Sequence, residues 1–154
     1  MPFTHEDLRK YLERLNIKHK ILMHEETYSA KKASAVLGID LSKIAKTIVF
    51  IDENNEPLLV IMPGTRRVNQ NRLAKILGKK RIRLARPDEV LEFTGYEVGA
   101  VPPVGHIRPI RTIIDEELLK WDVVSAGGGS VNATLEISPK DIVKLQNAEV
   151  MKVP

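Results

Sequence analysis

Lys46 is the first residue in the sequence whose surroundings call for chemistry. It opens the run Lys46-Thr47-Ile48-Val49-Phe50-Ile51. Read as a strand, this run puts Lys46, Ile48 and Phe50 on one face and Thr47, Val49 and Ile51 on the other. A cation then sits at the mouth of an apolar face, where an unpaired ammonium is costly. Lys46 must reach solvent, meet a carboxylate or receive an anionic ligand, and a lysine snorkelling from a strand start satisfies the same constraint. Two glycine-rich stretches are the other marked features of the sequence. Gly95 to Gly105 reads Gly-Tyr-Glu-Val-Gly-Ala-Val-Pro-Pro-Val-Gly, too dense in Gly and Pro for a regular element and too apolar for a flexible linker, so an ordered loop is expected. Ala126-Gly127-Gly128-Gly129-Ser130 is the other. Glycines let backbone N–H groups approach a carbonyl or a water closely.

Other chemistries lack their residues. There is no cysteine, hence no disulfide, thiolate metal site or thiol nucleophile. His5, His19, His24 and His106 show neither i,i+4 pairing nor neighbouring ligands at metal spacing, so no metal site is expected. Gly127 to Gly129 is not followed by Gly-Lys-Ser/Thr, and neither Gly-x-Gly-x-x-Gly nor Gly-x-Ser-x-Gly occurs. Nucleotide cofactors and a nucleophile-elbow hydrolase are set aside, and no cofactor is expected.

The elements that must position these residues follow from periodicity and punctuation. Thr4 caps a helix with Leu8, Tyr11, Leu12 and Leu15 on one stripe. Lys18 to Met23 reads as a strand, and Ser29 caps a helix stopped by Gly38. Ile44 to Ile51 and Pro57 to Met62 form a hairpin of buried strands across Asp52 to Glu56. Asn69 caps a helix closed by Gly78, Arg81 to Leu84 is a strand, and Pro87 starts a short helix ahead of Gly95. Thr112 to Ile114, Val123 to Ser125 and a segment ending near Ile137 read as strands. Ser138-Pro139 opens a last helix, and Glu149 to Val153 adds an edge strand. The 154 residues carry no repeat and no interdomain linker, so one α+β domain is expected over 1–154: a mixed β-sheet or partly closed barrel flanked by helices. No apolar run approaches the ~18 residues of a bilayer span, and the acidic N-terminus is unlike a signal peptide, which gives a cytoplasmic reading without a membrane partner. The net charge of +4 is concentrated in Arg66-Arg67, in Lys79 to Arg86 and in Arg108 with Arg111. Such clusters permit an RNA partner and equally suit a solvated basic surface.

Taken together, Lys46 to Phe50, Thr94-Gly95-Tyr96 with Gly99-x-x-x-Pro103, and Gly127-Gly128-Gly129 resemble, in order and spacing, the YbaK/prolyl-tRNA-synthetase-associated editing family. Leu73 to Gly78, Thr112 to Asp115 and Ile137 to Ile142 extend the resemblance from roughly Lys18 to the C-terminus. It implies a free-standing hydrolase that deacylates misacylated tRNA, often tRNA for proline carrying alanine, cysteine or another small amino acid, with an aminoacyl-tRNA synthetase as a further partner. It makes Lys46 the lysine that contacts the terminal adenosine or the aminoacyl group. Gly95 and Gly99 to Pro103 would shape the pocket, with Gly127, Gly128, Gly129 and Asn132 on its other side. Backbone groups of Gly99, Gly128 or Gly129 would stabilise the oxyanion. His24, Ser29, Thr47 and Thr65 are pocket candidates by their nearness to the matched motifs. The chain departs from the cysteine-specific branch, having Gly127 and Thr134 where that branch has serine and aspartate. It also lacks the histidine that some alanine-editing members carry after the late glycines, so serine stays open as the amino acid removed. A tRNA-binding module without turnover and a hydrolase of small aminoacyl esters are the alternatives, and nothing in the sequence sets the oligomeric state.

Overall fold

The Thr4 hydroxyl accepts from the Glu6 N–H while the Thr4 N–H donates to Asp7 at 2.8 Å, and this reciprocal cap starts α1 (His5–Arg14). These and the following geometries come from a computed structural model that describes residues 1–154. Leu8 and Leu12 are buried, whereas Leu15 at the C-cap is 44% exposed, so the apolar stripe ends a turn earlier than its spacing suggests. The other helices are α2 (Ala30–Leu37), α3 (Gln70–Ile76), α4 (Pro87–Thr94) and α5 (Pro139–Gln146). The side chains of Ser29, Asn69 and Ser138 cap α2, α3 and α5. No helix is long and apolar enough to cross a membrane.

The strands are β1 (His19–Met23), β2 (Ile44–Asp52), β3 (Pro57–Pro63), β4 (Ile82–Leu84), β5 (Arg111–Asp115), β6 (Val124–Gly127), β7 (Ala133–Ile137) and β8 (Glu149–Met151). They form one mixed sheet in the order β1-β7-β6-β2-β3-β5-β8, with β4 joined to β2. The β2–β3 hairpin is antiparallel with Lys46 opposite Met62 and Phe50 opposite Leu58. Its other edge is divided. Ile44 and Ala45 pair in parallel with Ser125 and Ala126 of β6, whereas Phe50 to Asp52 pair with β4. Between these partners the β2 edge faces a split in the sheet.

Both sheet faces are covered, as the continuous apolar character of β2 and β3 requires. Val49, Ile51, Leu59 and Ile61 lie in the larger core with Leu8 and Leu12 of α1, Val90 of α4 and Ile142 of α5. Phe50, Val60 and Met62 lie in the smaller core with Leu73 and Ala74 of α3 and Val153. Helix α2 buries no residue completely.

Two polar groups, one buried and one partly buried, tie loops and tail to this frame. Asp115 is 0% exposed, and its carboxylate accepts from the Arg66 guanidinium, the Glu117 N–H (2.9 Å) and the Val153 N–H (3.2 Å). Arg66 also donates to the Val153 carbonyl at 2.9 Å, so the C-terminal tail beyond β8 and the turn after β3 share one ion pair. His106 closes the loop that follows α4. Its Nε2–H donates to the Pro102 carbonyl at 2.7 Å, and burial holds its pKa down to about 4.

Removing the Asp115 carboxylate leaves Arg66 without its buried partner and the Val153 N–H without an acceptor. Asp115→Ala should lose about 3 kcal/mol in urea unfolding. His106 gives a pH signature. The unfolded ring protonates near pH 6.5 and the folded ring only near 4, so as pH falls through that window the unfolded state binds more protons and stability is lost. The loss should reach up to about 3 kcal/mol by pH 4 and be absent above pH 7. Urea midpoints of His106→Gln measured across the same window should vary less with pH than those of the wild type.

Candidate active site

The split along β2 opens into a cavity of about 350 Å³, at the small end of ligand sites, and 15 of its 24 lining residues are hydrophobic. Strand alternation explains what reaches it. Ile44 and Ser125 are register partners and share a sheet face, as do Gly127 and Thr134, so Lys46, Ser125, Gly127 and Thr134 all project to one side. Helix α2 covers that side through Ala30 and Ala33, both cavity-lining. Its lack of fully buried residues follows, because its inner face borders a cavity and not packed side chains.

The backbone at the split is as informative as the side chains. The Ile44 carbonyl accepts from the Gly64 N–H (2.8 Å) and the Asp52 N–H donates to the Glu56 carbonyl (3.0 Å), so even-numbered residues of β2 direct their backbone groups at β3. Odd-numbered residues direct theirs at the other edge. Ala45 meets β6, the Val49 carbonyl accepts from the Ala85 N–H (2.9 Å), and Ile51 meets β4. Thr47 lies between them with no strand opposite, and its Oγ1 is buried without a hydrogen-bond partner. The cavity thus borders a backbone edge that folding leaves unsatisfied, with the Thr47 hydroxyl buried on the face opposite Lys46.

The Lys46 ammonium is half-buried and donates to the Arg66 carbonyl. Burial first, then the charges of Arg67 and Arg66, hold its pKa below the usual lysine range. An anion placed there would relieve all these penalties. No carboxylate lines the cavity, so the Lys46 charge has no counterion within it.

Ser29, Lys46, Thr47, Gly99 and Gly127 line the cavity, Ser29 while capping α2 at 3.1 Å from the Lys32 N–H. The other candidates stand elsewhere. A Cβ on Gly127 would run into the Val101 carbonyl, and one on Gly128 would meet the backbone of Ala133 and Thr134. Gly129, at φ +89°, packs on the backbone of Thr4 and His5, and its N–H donates to the Ala100 carbonyl at 2.9 Å. That N–H is engaged and cannot face an oxyanion. The late glycines thus allow backbones to pack, with Gly127 alone reaching the cavity. Gly95 ends α4 against the Phe3 ring, Pro103 is buried in the loop, Thr65 is exposed, and Asn132 accepts the His24 N–H at 2.9 Å. His24 does not line the cavity but reaches Thr134, which does. Thr134, named above for its departure from the cysteine-specific branch, lines the cavity, and Ser125, Ser130 and Tyr28 are lining residues that motif spacing does not single out, because their relevance depends on which strands and loops meet.

Comparison with known proteins accords with this geometry. The sequence model of the aminoacyl-tRNA editing domain family matches residues 24–145. The uncharacterized protein YwhH of Bacillus subtilis is 32% identical over 127 residues, covering 81% of this chain and 80% of that protein. The multifunctional Ser/Thr-tRNA deacylase ProXp-y of Escherichia coli K12 is 24% identical over 152 residues, covering 96% and 91%. The crystal structure of hypothetical protein APE2540 superposes with a TM-score of 0.87 at 36% identity, covering 96% of this chain and 98% of that one. With the family matched across most of its length and the fold shared end to end, the chain belongs to the aminoacyl-tRNA editing domain family and is an aminoacyl-tRNA deacylase.

Proposed function

We propose that the chain acts in trans, in the cytoplasm, as a free-standing editing hydrolase that releases a small amino acid from misacylated tRNA. In this reading tRNA for proline is the substrate, and prolyl-tRNA synthetase is the partner whose errors it corrects. The observation that carries the reading is the cavity at the β2 split, where one cation, hydroxyl side chains and an unpaired backbone edge converge without a carboxylate. Lys46 is suited to the charge at the tRNA terminus, phosphate or developing oxyanion, as a point charge on a flexible stem. The Thr47 N–H, unclaimed by a neighbouring strand, is the backbone donor offered to the ester carbonyl oxygen as it gains charge. An aminoacyl ester is already activated, so a positioned water and a stabilised oxyanion suffice for hydrolysis.

The Ser125 hydroxyl, on the cavity-lining face that also carries Lys46, bears on the amino acid removed. A site that hydrogen-bonds a substrate hydroxyl discriminates against analogues lacking it far better than an apolar pocket does. Serine and threonine therefore suit the cavity better than alanine, and the name of the E. coli relative supports the same choice.

Release of amino acid from seryl-, threonyl-, alanyl- and cysteinyl-tRNA tests this directly. Seryl-tRNA should be deacylated faster than alanyl-tRNA, and Lys46→Ala should lower kcat/KM roughly a hundredfold. No hydrolysis of any substrate would overturn the reading, and retained tRNA affinity without turnover would support a binding module in its place. Affinity for tRNA should weaken as salt rises, through counterion release; a flat salt response removes backbone phosphate contact from the reading.

A further inference from the structure

His24 and Thr134 are 110 residues apart in sequence and meet across the β1–β7 pairing. Thr134 is opposite Leu22 on one side and Gly127 on the other. His24, one residue beyond β1, is its diagonal neighbour on the same face, the geometry in which cross-strand side chains touch. The imidazole is held at both nitrogens. Nδ1 is 2.6 Å from the Glu25 carbonyl oxygen and Nε2 is 2.8 Å from Thr134 Oγ1.

This arrangement fixes the direction of both bonds. A carbonyl only accepts, so Nδ1 carries the ring proton; in the neutral ring Nε2 then has only a lone pair, and the Thr134 hydroxyl must donate to it. Thr134 has no second hydrogen. Toward the cavity it lines, Oγ1 can offer only lone pairs. The Ser125 hydroxyl makes no bond within the protein that fixes its sense, Lys46 only donates, and Tyr28, whose hydroxyl donates to Glu26 at 3.0 Å, is exposed. Thr134 is therefore a side chain in the cavity held as an obligate acceptor, in a site without a carboxylate.

An obligate acceptor selects a donor. The reacting ester and the ribose ring oxygen only accept, and the free ribose hydroxyl and a seryl hydroxyl can both donate and accept, whereas the α-ammonium of an aminoacyl group has three N–H donors and no lone pair and so requires an acceptor. It also carries a charge that Lys46 repels, which orients it away from the lysine. We propose that Thr134 Oγ1 receives the α-amino group of the aminoacyl ester, with His24 as the positioning residue that keeps the hydroxyl turned as an acceptor. The inference deepens the deacylase reading and rests on it. It assigns the chain a substrate class defined by a free α-amino group, so that N-blocked aminoacyl- and peptidyl-tRNA are passed over.

The test is a comparison of two non-hydrolysable ligands: 3′-amino-3′-deoxyadenosine acylated with serine, and the same nucleoside acylated with 3-hydroxypropionic acid, which is serine without its amino group. Dissociation constants are measured for the wild type and for Thr134→Val, Thr134→Ser and His24→Leu, with thermal unfolding as a control on folding. The wild type should favour the seryl ligand by about tenfold, a hydrogen bond to a charged group being worth that much or more. Thr134→Val and His24→Leu should bring the two ligands to within about twofold, and Thr134→Ser should restore the preference. A general structural role would weaken both ligands equally and leave their ratio intact. An unchanged preference in Thr134→Val overturns the assignment alone, whereas a wild type that binds neither ligand overturns the deacylase reading and the assignment with it.

Discussion

The structure depends on one constraint: β2 has two partners on the same edge and cannot pair with both throughout. β6 takes its first two residues in parallel and β4 its last three in antiparallel register. These pairings approach from different directions, and the edge between them faces neither strand. An unpaired edge inside a sheet normally costs the free energy of its missing hydrogen bonds. Here it lies in a cavity under α2, where water or a substrate can satisfy it. The site is thus a defect in the sheet made permanent by the strands that flank it.

Elements far from the cavity hold that defect in shape. The Arg66 carbonyl accepts from Lys46, while the Arg66 side chain is fixed by Asp115 and Val153, so the lysine is tied through one residue to β5 and the C-terminal tail. On the other side Gly127 and Gly129 let the late loop lie directly on Val101 and Ala100, and α1 packs over that junction at Thr4 and His5. Tyr96, 0% exposed and edge-on to Phe3 at 5.4 Å, anchors the start of the same loop. Motifs that look like chemistry in the sequence therefore divide: Lys46 and Gly127 border the cavity, while Gly95, Gly129 and Tyr96 make the contacts that keep its wall in place.

Local chemistry made much of this legible. Thr4, Ser29, Asn69 and Ser138 cap the helices their spacing announces, and Gly38 and Gly95 adopt positive φ where a helix must stop. Glu149–Met151 forms the edge strand, pairing in parallel with β5. The short 3-10 turns at Leu41–Lys43 and Glu116–Lys120 are not legible in the sequence because each is built on an aspartate accepting from the second residue beyond it, a pattern too common to mark an element. Leu15 fits the helical stripe but faces solvent, since periodicity gives a face and not the extent of what covers it.

By itself the sequence determined the element types, the buried character of β2 and β3, the isolated cation at Lys46 and, through three separated motifs, the family. These depend on spacing within a few residues, where dihedral preference and side-chain periodicity act. The tertiary structure alone decided which strands flank β2, and with that everything the site does. Thr47 has a free edge because β6 and β4 diverge, Thr134 becomes an acceptor because β1 delivers His24 beside it, and Gly129 is excluded as a donor because Ala100 takes its N–H. Hydrogen-bond polarity and strand order arise between segments up to 110 residues apart, and no local pattern carries them.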